Sequence, residues 1–227
     1  MPVLWSRIRS LFNPPAGSAA APAAPEREER AAPREVVRHS HALEQLLYAL
    51  RDHQGLKILD LGEVNQANVG FLTSLGHRLY SEDFLHTVDA VFGGGDPAAT
   101  QISAARVEDF FSQALRFPPQ HFDAALLWDT FEYLTQPLME RVMLRLMDVV
   151  RPGGVMMACF RADVRGETAP LYSYRIVDGR SIQLAVRGER RLLQKFNNRA
   201  IEKVFEPCGS VKFFLTRDSL REVIVRR

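Results

Sequence analysis

The chain has 227 residues, 46% of them apolar and 25% charged, and a formal net charge of +2. That is globular composition, and the length suits one domain with a tail. Two cysteines, Cys159 and Cys208, are too few for a disulfide framework or a cysteine-based zinc site, and no apolar run approaches the ~20 residues of a membrane-spanning helix.

The small net charge is a cancellation. Residues 1–34 hold five arginines and three glutamates, residues 35–160 nine basic and sixteen acidic residues, and residues 161–227 fifteen basic and eight acidic ones. A basic C-terminal third suits an anionic acceptor or, less readily, a nucleic acid; charges spread over solvated faces give the same sum. The basic stretch Arg187, Arg190, Arg191, Lys195, Arg199, Lys203 contains only Phe196 as a stacking aromatic. It therefore reads as a solvated face, not a single-strand nucleic-acid groove.

In chain order, Leu4, Trp5, Ile8, Leu11 and Phe12 share one helical stripe, with Arg7 and Arg9 off it. Residues 1–12 therefore read as a short amphipathic segment, suited to a membrane surface or a protein partner, and not as a signal peptide. Residues 13–34, rich in Ala and with five prolines, read as a disordered linker. The folded domain is expected over 35–227, and the reduced thiols imply a cytoplasmic setting.

A helix is predicted over Glu35–His53 from Val36, Val37, Leu43, Leu46, Leu47 and Leu50, stopped by Gly55. Leu56–Leu61 reads as a buried strand, Ala67–Leu75 as a helix, His77–Ser81 as a strand and Phe84–Phe92 as a helix. Ala104–Phe117 reads as helical, with no convincing strand before it. Phe122–Trp128 is a strand, Pro137–Val150 a helix broken by Pro152-Gly153-Gly154, and Val155–Phe160 a strand. This alternation predicts an α/β, doubly wound, mostly parallel sheet.

Tyr172–Val177 and Ser181–Arg187 flank Asp178-Gly179, a hairpin turn signal, and predict a β-hairpin insertion near 172–187. Asn198–Phe205 reads as a helix. Val211–Leu215 and Leu220–Val225 read as an antiparallel C-terminal strand pair. The insertion is placed to cap a substrate pocket or to form a homodimer contact.

Four motifs carry chemistry. Asp60-Leu61-Gly62 ends the first strand of the alternation, where ligands bind in open α/β sheets and where a glycine admits close backbone approach. Asp83 ends the second; a carboxylate there can accept from two ribose hydroxyls, or cap the helix that follows, and Glu82 competes for the role. Phe122–Leu134 places Asp129 and Glu132 just beyond a buried strand. Asp148–Phe160 is a helix end, a Pro-Gly-Gly turn and a strand.

In this order and spacing the chain resembles the class I S-adenosylmethionine-dependent methyltransferases, well over 40–160 and loosely elsewhere. The resemblance implies a Rossmann-like methyltransferase fold, with S-adenosylmethionine as cofactor and Asp60, Gly62, Asp83 and Asp129 contacting it. It also implies methyl transfer to a small or anionic acceptor molecule, for which Glu132 and His121 are the catalytic candidates. The family's first loop is Gly-x-Gly-x-Gly, packed against the methionine part of the cofactor. Here Val64 and Gln66 replace its later glycines. That departure supports an alternative, a degenerate, non-catalytic member acting in binding or assembly. His39 and His41, at i and i+2, do not share a helix face and no third ligand is apparent, so no metal site is expected.

Overall fold

A computed structural model describes residues 35–162, 166–215 and 220–227. The amphipathic segment and the linker expected before residue 35 lie outside these. All described residues belong to the unit spanning Pro33–Arg227.

The fold is built on a six-stranded sheet. Its strands are β2 (Lys57–Asp60), β3 (Arg78–Ser81), β4 (Phe122–Trp128), β5 (Val150–Arg161), β8 (Ser210–Leu215) and β9 (Leu220–Arg226), in the order β3-β2-β4-β5-β9-β8. The first four are mutually parallel, and β9 runs antiparallel to both β5 and β8. The order reverses between β2 and β4, so the carboxyl ends of these two strands flank the crevice where open α/β sheets take ligands. The mixed, doubly wound sheet with its closing antiparallel pair is the architecture expected from the sequence.

Helices cover one face. Helix α3 (Phe84–Phe92) buries Phe84, Val88, Val91 and Phe92, and α6 (Gln136–Val149) buries Leu138, Val142, Leu146 and Val149. These side chains recur at three- and four-residue spacing, and each contributes roughly 1.5–3 kcal/mol by leaving water. After the short α4 (Pro97–Thr100), helices α5 (Ala104–Gln113) and α7 (Asn198–Val204) complete that layer through Phe110 and Ile201.

The other face is covered differently. Helices α1 (His41–Leu50) and α2 (Gln66–Ser74) pack there beside a separate three-stranded sheet. That sheet consists of β1 (Glu35–His39), β7 (Ser181–Arg191) and β6 (Thr168–Asp178), in that order and antiparallel throughout. Tyr174, Ile176, Ile182 and Leu184 point from it into the same core as Leu43, Leu46 and Trp128.

Several boundaries differ from the sequence reading. The helix expected over Ala104–Phe117 ends at Gln113, where Ala114 turns extended and Leu115 adopts φ of 56°. The helix expected over Glu35–His53 is a strand followed by a helix. β-branched Val36 and Val37 pair with Leu184 and Gln183, and Ser40 then caps α1 by accepting from Leu43 N at 3.1 Å. The hairpin is longer than expected, because β6 and β7 pair from Thr168↔Arg191 to Asp178↔Ser181. Strand β5 starts at Val150, ahead of Gly153-Gly154, since Val150 already pairs with Phe122.

Candidate functional site

The carboxyl ends of β2 and β4 are linked by one side chain. The Trp128 indole Nε1 donates to Asp60 Oδ1 at 2.7 Å, and its ring stacks on Tyr174 of the hairpin at 4.7 Å and 11°. The backbone helps to aim it. Trp128 has φ of 49°, in the left-handed region that bulky residues rarely adopt, beside a register shift in the β4–β5 pairing. The indole lies over Gly62, where an added Cβ would meet Trp128 Nε1 at 2.9 Å. Gly62 thus admits close approach, as expected, but the group that approaches is the protein's own tryptophan.

Asp60 is fully engaged. Its Oδ1 also accepts from Gly62 N at 2.9 Å and its Oδ2 from Asn68 Nδ2 at 3.3 Å. Burial raises the carboxyl above its usual range, and the Trp128, Gly62 and Asn68 donors oppose that rise. Asn68 also reaches the hairpin, donating to Tyr174 O at 3.0 Å and accepting from Ile176 N at 2.7 Å. It is a buried pin between α2 and β6.

Beyond β4, Asp129 and the turn Thr130–Tyr133 form a second closed cluster around Arg161, the last residue of β5. Arg161 Nη2 donates to Asp129 Oδ2 at 3.0 Å and to the Tyr133 hydroxyl at 3.1 Å, and Nη1 pairs with Glu132. Arg161 N also donates to Glu132 Oε1 at 2.7 Å, and Tyr133 Oη donates to Asp129 Oδ2 at 3.1 Å. Burial raises Asp129, and it raises Glu132 to about 7, in both cases against the pull of the Arg161 charge. Burial works against the Arg161 charge, but Asp129 and Glu132 outweigh it and hold the guanidinium protonated. Besides burial, the negative charge of Asp129 adds to the rise at Glu132.

Asp83 is placed differently. It caps α3, with Oδ1 accepting from His86 N at 3.1 Å, while Oδ2 has no partner among the described residues. It lines a small cleft with Gly62, Leu85, Thr130, Leu171 and Tyr172. The neighbouring Glu82 turns away, accepting from Leu115 N at 2.8 Å; burial raises its carboxyl against that hydrogen bond. The cleft volume is about 140 Å³, below the roughly 300–1,000 Å³ usual for small-molecule sites.

The hairpin is fastened over this cleft by ion pairs. Arg187 meets Glu63 at 2.9 Å, Arg190 grips both oxygens of Asp89 at 2.8 and 2.7 Å, and Arg191 meets Asp96 at 3.2 Å. The basic C-terminal third and the acidic region before it therefore neutralise one another in part here. A charge sum cannot reveal such pairing.

Of the residues expected to hold a cofactor, Asp60, Gly62, Asp83 and Asp129 gather at the carboxyl ends of the strands; Asp60 has both oxygens engaged, Asp129 is tied through Oδ2 to Arg161 and Tyr133, and Asp83 is held only through the helix cap at Oδ1. Neither catalytic candidate lines the cleft, although Glu132 shares Arg161 with Asp129. Glu132 is buried against Arg161. His121 precedes β4, at the opposite end of the strand from Trp128, and stacks on Phe117 at 6.0 Å and 17°. Sequence reasoning missed Trp128, Tyr174 and Arg161. Trp128 was visible as the last residue of a buried strand facing the glycine turn, whereas Tyr174 and Arg161 arrive through contacts that no local pattern encodes.

No family model and no curated protein matches the sequence. Solved structures similar to this chain include the 1,6-didemethyltoxoflavin-N1-methyltransferase of Burkholderia thailandensis, bound to 1,6-didemethyltoxoflavin and S-adenosylhomocysteine. It is 14% identical with a TM-score of 0.46, over 82% of this chain and 78% of that one. The PH0226 protein of Pyrococcus horikoshii is 13% identical with a TM-score of 0.45, over 82% and 87%. A SAM-dependent methyltransferase of Bacteroides fragilis, in complex with S-adenosylhomocysteine, is 12% identical with a TM-score of 0.42, over 87% and 89%. At such distance the fold assignment rests on this chain's own strand order.

Proposed function

We propose that this chain is a methyltransferase-fold protein that binds an adenosine-bearing ligand, S-adenosylmethionine foremost, through Asp83, and that Trp128 bars the methionine half from its place. The residues fit one half of that molecule. Asp83 Oδ2 is free to accept from a ribose hydroxyl, and Leu85, Leu171 and Tyr172 offer apolar surface beside it. The other half does not fit, because the face of Gly62 that a Gly-x-Gly-x-Gly loop would open is filled by the indole. That occupied face is the observation that carries the reading.

S-adenosylmethionine supplies an electrophilic methyl group wherever its sulfonium is aligned with an acceptor. In this arrangement the chain's residues hold the ribose end and close the sulfonium end, so the protein acts as a binding member of the fold. A second reading, methyl transfer to a small anionic acceptor, is favoured by Arg187 and Arg190 lining the same cleft. It requires the hairpin ion pairs and the Trp128–Tyr174 stack to part.

Calorimetry with S-adenosylmethionine, S-adenosylhomocysteine and adenosine separates the two. On the first reading the three ligands bind the native chain with similar, weak affinity, and Trp128→Ala tightens the two longer ligands at least tenfold while leaving adenosine unchanged. Tight binding of S-adenosylmethionine by the native chain, unaltered or weakened in Trp128→Ala, favours methyl transfer. No binding of any of the three at millimolar concentration removes both readings.

A further inference from the structure

The corner between β1 and α1 carries a cluster that neither the cleft nor the core requires. His39 ends β1 and His41 begins α1, with Ser40 between them. Both imidazoles turn to one carboxylate: His39 Nε2 lies 3.0 Å and His41 Nδ1 3.3 Å from Glu44 Oε2. The three donor atoms all lie within 4.8 Å of one another, and the two rings are 4.3 Å apart, centroid to centroid.

We propose that His39, His41 and Glu44 form a binding site for a borderline divalent transition ion of the Zn²⁺, Co²⁺ or Ni²⁺ type, with water completing its coordination. Two imidazole nitrogens and one carboxylate oxygen are a donor set suited to such ions, and they leave positions open. The spacing suits one as well. Donors ~2.1 Å from a shared ion lie about 3.0 Å apart in an octahedron and about 3.4 Å apart in a tetrahedron. The two nitrogen-to-oxygen separations, 3.0 and 3.3 Å, fall in that range. The ion would take the place of the two hydrogen bonds to Glu44.

The backbone behind the cluster is fixed on each side. Ser40 N donates to Arg180 O at 2.8 Å, Ser40 Oγ accepts from Leu43 N at 3.1 Å, and Glu44 N donates to Ser40 O at 3.2 Å. His39 is held in the β1–β7 register opposite Ser181, and the His41 ring lies 5.9 Å from that of Phe214. The side chains are 37–54% exposed, so an ion reaches them from solvent. The change from strand to helix at Ser40 brings i and i+2 together where a continuous helix would part them, and the first turn of α1 adds the third ligand at i+5 from His39. The expectation of no metal site followed from the expected helix. A bound ion would tie β1, and through its pairing the hairpin sheet, to α1.

The test uses the untagged, chelator-stripped full chain, titrated with Zn²⁺ by calorimetry and with Co²⁺ by visible absorption. One ion per chain is expected, with a melting temperature that rises as Zn²⁺ is added. His39→Ala, His41→Ala and Glu44→Gln should each weaken binding at least tenfold, and the double variant His39→Ala/His41→Ala should lose both the heat and the thermal shift. The metal-free double variant should melt like the native chain, since both rings are exposed; if it does not fold, Glu44→Gln carries the test alone. Absence of binding to the native chain overturns the proposal. So does undiminished binding by the variants, which would place the ion elsewhere, for example at Cys208.

Discussion

Two acidic places at the same edge of the sheet have been built to opposite ends. Asp83 sits at the mouth of the cleft with one carboxylate oxygen hydrogen-bonded and the other without a partner among the described residues. Asp60, Asp129 and Glu132 sit a few residues beyond neighbouring strand ends or at them, and donors from Trp128, Asn68, Tyr133 and Arg161 engage them. An acid that keeps a free lone pair beside an opening is available to a ligand. An acid whose oxygens are engaged in a dry interior serves the fold, because releasing it for a ligand leaves its donors unpaired. Position at the carboxyl edge of a doubly wound sheet is thus necessary for a binding role and does not by itself confer one.

The strongest way to break this contrast is to remove the cation of the closed cluster. Arg161→Ala leaves Asp129 and Glu132 facing one another in a buried site, and loss of one partner of a buried pair costs about 3–5 kcal/mol. Urea unfolding should register that loss. A change below about 1 kcal/mol would mean that the cluster is open to water and that the contrast with Asp83 is false.

A smaller effect comes from pH. Glu132 is raised from 4.5 to about 7 by burial. The folded state therefore holds a proton that the unfolded chain gives up at lower pH. Its stability contribution is full below about 4.5 and is lost as pH rises through about 7. The size is roughly 3 kcal/mol, at about 1.4 kcal/mol per pKa unit. Asp60, Asp129 and Glu82, also raised by burial, act in the same direction. Unfolding free energy should fall between about pH 4.5 and 7, and Glu132→Gln, which keeps a neutral side chain there, should flatten part of that slope.

The sequence made much of the fold legible and rather less of the site. Strands β2, β4 and β5 announce themselves as short apolar runs between glycines and charges, and the Asp178-Gly179 turn announces the hairpin. These are local patterns with local causes. The split at Ser40 was missed because Val36 and Val37 satisfy a helical period as well as a strand; what decides is pairing with β7, nearly 150 residues away. The site was half read for the same reason. Asp60, Gly62, Asp83 and Asp129 lie at or just beyond the strand ends. Whether each is free depends on Tyr174, Arg161 and Asn68, which arrive from distant segments. Pairing across the fold also turns a basic third and an acidic middle into mutual partners at Arg187–Glu63 and Arg190–Asp89.

The finest test acts on Asp83 itself, where structural and binding roles can be separated. Asn is as good a helix N-cap as Asp, so Asp83→Asn should keep the hydrogen bond from His86 N and change stability by no more than a few tenths of a kcal/mol. It replaces one acceptor oxygen by an amide nitrogen and removes the charge, so a ribose hydroxyl loses a charge-assisted partner. Adenosine binding should weaken about tenfold, with the melting temperature unmoved. The matched control is Asp60→Asn, which perturbs the acceptor of Trp128 and should act mainly on stability. If the two substitutions exchange their effects, so that Asp60→Asn abolishes binding while Asp83→Asn only loosens the fold, then the open and closed acids have been assigned the wrong way round.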